Sequence, residues 1–243
     1  MRKMLLMMVV CLLLAGCREV KPEETVWQTV PETETAETTE TMRENHPYAP
    51  VLDVYRQALT EDWNQGQCME AGISMLTAYC MEGGNPLNNL CYAFYDLDGD
   101  GDAELLIAPT FNDGFVDNMV FGCYDLVDGQ PRQLLCGYER NRYYLCYGED
   151  GTCWIANEAS TGAGHSGWFY YLYDGNGLSI QRSVICDADS SPDAPWFAGA
   201  DDSWDLTDMT CVSEEEARKV IDSYENLKCN IYRGFNIYTF DMQ

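Results

Sequence analysis

The sequence predicts an α+β fold with N-terminal helices, an antiparallel β-meander of about eight strands and a C-terminal helix. Three observations support it: apolar residues at helical spacing after residue 50, four Asp-Gly turns between strand-like runs, and a capped helical segment near the C-terminus. Helices and strands that occupy separate parts of the chain are typical of the α+β class.

The first residues have the pattern of an export signal. A basic start is followed by an apolar run from Met4 to Leu14, and then by Leu-Ala-Gly-Cys ending at Cys17. The run is shorter than the ~20 residues that span a bilayer as a helix. Leu-Ala-Gly-Cys resembles the lipobox of bacterial lipoproteins, which implies removal of residues 1–16, lipidation of Cys17 and an anchor on the extracytoplasmic face of the cell membrane. An ordinary signal peptide is the alternative.

Residues 17–50 are rich in Glu, Thr and Pro and have few large apolar side chains. Such a segment cannot bury enough surface to offset its ordering entropy, so we expect a disordered tether. The remaining residues, 51–243, have the length of one globular domain.

The charge of the chain excludes one class of partner. The 243 residues include 40 acidic and 14 basic side chains, which gives a formal net charge of −26. Because so acidic a chain repels polyanions, we expect no nucleic-acid ligand. The composition is still that of a globular protein, since 46% of the residues are hydrophobic and 12% are aromatic.

Helices are predicted at both ends of the domain. Residues 51–64 place apolar side chains at helical spacing, and a second helical stretch at about 67–81 ends before Gly-Gly-Asn-Pro. Near the C-terminus, Ser213 is the predicted N-cap of a helix, and Glu216 completes a capping box. The tail that follows is predicted as a last strand or a packed extension.

Four turns divide the middle of the chain, at residues 98–101, 128–129, 150–151 and 174–177. Each contains Asp-Gly between strand-like runs, which is a strong signal for a β-hairpin. Four successive hairpins predict about eight antiparallel strands.

The first of these turns carries a metal-binding pattern. Residues 96–104 read Asp-Leu-Asp-Gly-Asp-Gly-Asp-Ala-Glu, so carboxylates occupy alternate positions while two glycines let the backbone curl. Five crowded carboxylates repel one another unless a cation binds. Ca²⁺ takes six to eight oxygen ligands and suits such a loop. The alternative is an acidic turn without a cation.

An EF-hand needs an acid at position 12, where this loop has Ile107, and flanking helices, where this chain has strand-like runs. The run FYDLDGDGDAELLI instead resembles the β-hairpin calcium loops of FG-GAP and VCBS repeats. The resemblance implies five ligands: the side chains of Asp96, Asp98 and Asp100, the backbone carbonyl of Asp102, and the closing carboxylate of Glu104. It covers the loop and its two flanking strands, and it implies calcium binding but no activity.

The combination of lipobox, acidic tether, DxDGDGxxEL loop and meander resembles uncharacterised lipoproteins of Firmicutes-type bacteria. The resemblance implies a location and a fold. The function we expect is a calcium-binding surface module for a protein or glycan ligand. The alternatives are an extracytoplasmic hydrolase and a structural envelope lipoprotein.

Ten of the twelve cysteines lie in the domain, an even number that favours disulfides in an exported chain. Cys123 and Cys136 straddle one turn, and Cys146 and Cys153 straddle another. A suitable register would place each pair directly opposite, whereas a slip of one residue would separate them. Buried free thiols that pack as small hydrophobic groups are the alternative. Without a CxxC motif or a Cys–His cluster, we expect no zinc site.

Three weaker patterns complete the sequence. Residues 162–167 match GxGxxG, but a strand-like run follows instead of the helix that a dinucleotide site needs. His165 could pair with Ser160 or Ser166 in a hydrolase, or lie in a polar glycine loop. The segment 187–208 contains seven Asp and three large aromatic residues, Trp196, Phe197 and Trp204. It could form a second calcium site or a sugar platform, although a solvated loop pinned by its aromatics is the simpler interpretation.

Overall fold

The computed structural model describes residues 46–111 and 116–241. The predicted signal sequence, the predicted lipidation site at Cys17 and most of the predicted tether lie outside these residues. Within them, no helix is both long and apolar enough to cross a membrane.

Helices cluster at the two ends of the described chain, as predicted. They are α1 (Ala49–Thr60), α2 (Gln65–Glu70), a 3-10 helix (Met75–Met81), α3 (Pro86–Asn89), α4 (Glu214–Glu225) and α5 (Ile231–Gly234). The predicted second helix is therefore divided in two. The division falls at Gly72, whose φ of 75° is left-handed and ends α2.

The domain begins earlier than the predicted boundary at residue 51. Helix α1 starts at Ala49, with Pro50 in its first turn, where the missing N–H of proline costs nothing. Tyr48 is only 1% exposed and packs in the core. The end of the predicted tether, at residues 46–50, is thus part of the folded domain.

Thirteen strands are present in the described residues, eight long and five short. They are β1 (Leu90–Tyr95), β2 (Glu104–Pro109), β3 (Met119–Val120), β4 (Gly122–Val127), β5 (Gln130–Cys136), β6 (Asn141–Tyr147), β7 (Cys153–Gly162), β8 (His165–Tyr173), β9 (Leu178–Asp187), β10 (Trp196–Gly199), β11 (Thr210–Cys211), β12 (Lys228–Cys229) and β13 (Tyr238–Thr239). The α+β class is confirmed.

All four predicted hairpins form, as the pairs β1–β2, β4–β5, β6–β7 and β8–β9. They belong to two antiparallel sheets. The first sheet has the order β13-β1-β2-β4-β5, and the second has the order β11-β10-β9-β8-β7-β6-β12, with β3 beside β6. The meander therefore changes sheet between β5 and β6. The GxGxxG string turns from β7 directly into β8, so a strand follows it, as predicted.

The first sheet is covered on both faces because alternate side chains of β1 and β2 point in opposite directions. On one face, Leu105 packs in a cluster with Leu52 and Tyr55 of α1. On the other face, Leu106 packs in a cluster with Ile155 and Phe169 of the second sheet. Burial on both faces explains why these strands are almost continuously apolar.

The ten cysteines of the domain are free thiols in the structure. Cys136 lies opposite Gly122, and Cys153 lies opposite Tyr147, so each candidate pair is one residue out of register. Side chains one residue apart on a strand point to opposite faces, and this slip therefore separates the sulfur atoms.

The C-terminal helix α4 begins at the predicted capping box. The Ser213 hydroxyl accepts a hydrogen bond from the Glu216 N–H at 3.2 Å, and Glu216 Oε2 accepts one from the Ser213 N–H at 2.9 Å. Ala217 and Ile221 then pack in a small cluster with Val184 of β9 and with Trp196. The tail ends in the short strand β13, which pairs with β1.

Candidate metal centre

The acidic run forms the connection between β1 and β2. Tyr95 and Glu104 are the last paired residues of the hairpin, so the loop comprises residues 96–103. Gly99 and Gly101 have φ values of 81° and 97°, which an L side chain rarely adopts. The two glycines therefore let the backbone curl inward at these positions.

Backbone N–H groups of the loop point at its own carboxylates. Asp96 Oδ1 accepts a hydrogen bond from Gly99 at 2.7 Å, and its Oδ2 accepts one from Gly101 at 3.0 Å. Glu104 Oε2 accepts one from the Leu97 N–H at 2.7 Å. These bonds fix the carboxylates of the first and ninth positions before any ion binds.

Three of the five predicted ligands converge. One carboxylate oxygen each from Asp96, Asp98 and Glu104 lie within 4.8 Å of one another. Asp100 and Asp102 are exposed and do not belong to this group. The Asp100 Oδ1 atom instead accepts a hydrogen bond from the Asp102 N–H at 2.8 Å.

The electrostatics of the group favour a cation. Glu104 is 4% exposed, and burial, with smaller contributions from the charges of Asp98 and Asp96, raises its pKa to about 7. Burial also raises the pKa of Asp98, helped by the charges of Asp100 and Asp96. Among the described residues, no Lys or Arg forms an ion pair with these side chains. The group is thus a set of hard oxygen donors without a counter-charge, which fits Ca²⁺.

A second buried carboxylate lies beside the group. Leu105 of β2 pairs with Tyr124 of β4, and one further step in that register sets Glu104 opposite Asp125. Asp125 is 2% exposed and is held by the Arg132 guanidinium, whose Nε lies 3.0 Å from Oδ1. The Tyr173 hydroxyl donates a further hydrogen bond to Asp125 Oδ2 at 2.9 Å.

Asp125, Arg132 and Tyr173 were not predicted from the sequence. Their separation along the chain gives no local motif, and only the strand pairing brings Asp125 to Glu104. Asp125 of β4 and Arg132 of β5 lie directly opposite each other, a cross-strand pair that can be recognised in the sequence only once the register is known.

His165 lacks the partners of a catalytic histidine. Its Nδ1 lies 2.7 Å from the Thr161 hydroxyl, a contact that the sequence did not predict. Its Nε2 is buried without a hydrogen-bond partner among the described residues. The Ser160 hydroxyl donates to the Gly162 carbonyl at 2.8 Å, and the edge of Trp204 packs on the imidazole. Among the described residues no carboxylate is hydrogen-bonded to the imidazole. Asp187 lies opposite His165 on the paired strand, but its Oδ1 accepts a hydrogen bond from the Ser190 N–H.

The acidic segment 187–208 does not gather its carboxylates. Asp187, Asp201 and Asp205 accept hydrogen bonds from the N–H groups of Ser190, Ser203 and Thr207. Each carboxylate thus closes its own local turn.

The aromatic residues of this segment attach it to the core. Trp196 is 8% exposed and stacks on Trp168 with ring centroids 5.9 Å apart. Trp204 packs edge-on against Phe169 at 5.3 Å. Both rings attach the segment to the core, as the pinned-loop interpretation expects; Trp196 is buried, whereas Trp204 is half-buried.

Comparisons with protein-family models, with curated proteins and with solved structures find no match to this chain. The likeness to FG-GAP and VCBS calcium loops therefore depends on the residues of the first hairpin alone.

Proposed function

We propose that this protein is a lipid-anchored, extracytoplasmic calcium-binding surface protein whose domain binds a protein or glycan ligand. The convergence of Asp96, Asp98 and Glu104 without a basic partner supports the calcium site more than any other observation. Asp100 and the backbone of Asp102 complete the ligand set in this proposal. The bound ion would supply two positive charges at a point where carboxylates otherwise repel one another.

The proposed location depends on Cys17 and on the acidic segment that follows it. A lipid at Cys17 would hold the chain on the membrane, since each buried methylene contributes ~0.8 kcal/mol. Residues between Cys17 and the start of the folded domain would then act as the spacer.

A Cys17→Ser chain tests the anchor. We expect the wild-type protein in the membrane fraction and the variant in the soluble fraction, with immunoblotting of both fractions as the measurement. Equal membrane retention of the two chains would remove the lipid anchor from the proposal.

The ligand site we favour is a polar cleft of about 320 Å³ beside the β7–β8 turn. It is lined by residues of β6, of β7 and of the turns beside them, including Arg140, Arg142, Glu158 and Ser160. Charged and hydroxyl groups along one open cleft suit a ligand with many hydroxyl groups, such as a glycan, better than an apolar ligand.

Glycan-panel binding by the full chain in Ca²⁺ and in chelator tests this function. We expect the wild-type chain to retain a subset of glycans. Glycan binding should be lost in the cleft variant Arg140→Ala and kept in Arg182→Ala, a variant of β9. Because a chain that binds calcium but no panel member would instead favour a structural envelope role, titration calorimetry with Ca²⁺ is run in parallel.

A further inference from the structure

The turn between β8 and β9 lies at the tip of the last long hairpin of the second sheet. Tyr173 pairs with Leu178 at the base of this tip, and the Asp174 N–H donates to the Gly177 carbonyl at 3.3 Å. Asp174 Oδ1 also accepts a hydrogen bond from the Asn176 N–H at 3.0 Å. Residues 174–177, the 174–177 turn, therefore form a closed unit with a fixed shape.

Gly175 of this turn touches the acidic loop of the other sheet. A Cβ atom added at Gly175 would lie 2.8 Å from Asp98 Oδ2, which is closer than real Cβ contacts. A Cβ atom added at Gly129 or Gly151, the glycines at the equivalent left-handed positions of two other turns, would have nothing within 4 Å. The close approach at Gly175 is thus a property of this turn and not of Asp-Gly turns in general.

A second contact joins the same hairpin to the same region. Tyr173 immediately precedes the turn, and its hydroxyl holds Asp125, the carboxylate opposite Glu104. Glu104 alternates with Leu105 on β2 and so shares a face with Leu106, which packs against the second sheet. The acidic group therefore lies where the tips of two hairpins meet, β1–β2 of the first sheet and β8–β9 of the second.

The turn contains one carboxylate, that of the exposed Asp174, which directly follows Tyr173 in the chain. Three convergent carboxylates are fewer than the six to eight oxygen ligands of Ca²⁺, so a calcium ion here needs further oxygens. Asp98 has the charges of Asp96 and Asp100 near it and Gly175 packed against it, with no basic ion-pair partner among the described residues.

We propose that the 174–177 turn is the second wall of the calcium site, so that the bound ion fastens the first hairpin of one sheet to the last long hairpin of the other. In the calcium-free protein the β8–β9 pairing and the Tyr173 hydroxyl hold the base of the turn, and its tip opens more often than in the calcium-bound protein. In the calcium-bound protein the tip is closed over Asp98. This inference depends on the proposed calcium binding and extends it to a residue pair that the loop motif does not contain.

Two glycine variants of the full chain test the inference. Gly175→Ala introduces both a strained φ and a clash with Asp98, whereas Gly151→Ala introduces a strained φ of 84° in open space. We expect Gly175→Ala to weaken Ca²⁺ binding by about tenfold or more in titration calorimetry, and Gly151→Ala to leave the affinity within about twofold of wild type.

Amide hydrogen exchange of the wild-type chain provides a readout that needs no variant. We expect Ca²⁺ to slow exchange at residues 174–177 relative to chelator, and to leave residues 149–152 of the β6–β7 turn unchanged. If wild-type protein binds Ca²⁺ but exchange at 174–177 does not change and both alanine variants bind equally, the inference is wrong while the proposed function stands. If wild-type protein binds no Ca²⁺, the proposed function is wrong and the inference with it.

Discussion

Two acidic regions of the molecule use the same side chains in opposite ways. In the loop 96–104, carboxylates converge on one point, and burial and mutual repulsion raise the pKa of Glu104 and Asp98. In the segment 187–208, hydrogen bonds from neighbouring Ser and Thr groups lower the pKa of Asp201 and Asp205. The direction of the pKa shift, and not the number of acids, distinguishes carboxylates that crowd one another from carboxylates that neighbouring donors already stabilise.

The reason for the difference is local. Asp201 and Asp205 are each followed two residues later by Ser203 or Thr207, which supplies both a backbone N–H and a hydroxyl. Glu104 has only the Leu97 N–H and sits at the start of a buried strand.

The first prediction concerns what holds the acidic segment. Trp196→Ala removes a ring that stacks on Trp168 and lies under the Arg218 guanidinium, and we expect a loss of about 3–5 kcal/mol in the free energy of unfolding. Because no ion is involved, urea unfolding should show the same loss in Ca²⁺ and in chelator. If Ca²⁺ restored the lost free energy of unfolding, the segment would bind metal after all. Tyr232→Ala at an exposed site serves as the control.

The second prediction concerns the converging loop. At a Ca²⁺ concentration 100 times the Kd, the free energy of unfolding should rise by about 2.7 kcal/mol, seen as a higher melting temperature than in EGTA. Asp98→Asn combined with Asp100→Asn should abolish the rise. The matched pair Asp201→Asn and Asp205→Asn should retain it. Identical wild-type melts with and without Ca²⁺ would remove the metal site.

The third prediction is the pH dependence of the calcium-free protein. A folded-state pKa near 7 for Glu104, above the usual 4.5, means that its contribution to stability is fully present below about pH 4.5 and is lost as the pH rises through 7. We expect a loss on the order of 1–2 kcal/mol after screening by solvent, measured by urea unfolding in EGTA. Glu104→Gln should flatten this part of the profile. An unchanged profile in the variant would contradict the raised pKa.

The fourth prediction has the opposite sign and the smallest size. The lowered pKa of Asp201 means that its contribution is present above its usual value of 3.8 and is lost as the pH falls through its folded-state pKa. Asp201→Ala should therefore be slightly less stable than wild type at pH 7, and the two chains should converge in acid. A difference that grows in acid would contradict the assignment.

Local patterns in the sequence predicted the local parts of the fold. Asp-Gly turns located all four hairpins because turn chemistry depends on adjacent residues, and the capping box located α4 for the same reason. The register was not predictable, because a bulge between Cys123 and Tyr124 shifts the pairing of β4 with β5. The hairpin starts by pairing Val127 with Gln130, and even beyond the bulge Cys123 lies opposite Leu135 and not Cys136.

The same limit applies to the candidate site. The loop motif places Asp96, Asp98 and Glu104 within one turn, and the structure brings them together. Asp125 and Gly175 reach the site only through strand pairing and sheet packing, which no spacing in the sequence encodes. The proposed ligands within the loop could therefore be predicted from the sequence, whereas the residues that surround the loop could not.

The free cysteines make the domain a reporter of its own opening. Burial raises the pKa of nine of the ten described thiols, so little reactive thiolate forms while the strands stay packed. Cys211 is the exposed exception among the described residues. An alkylating reagent should thus mark Cys211 first in the native protein and reach the buried thiols only as the helices and strands that carry them open. The rate of alkylation at Cys91 and Cys123 would report the opening of the first sheet, and the rate at Cys146 and Cys153 would report that of the second.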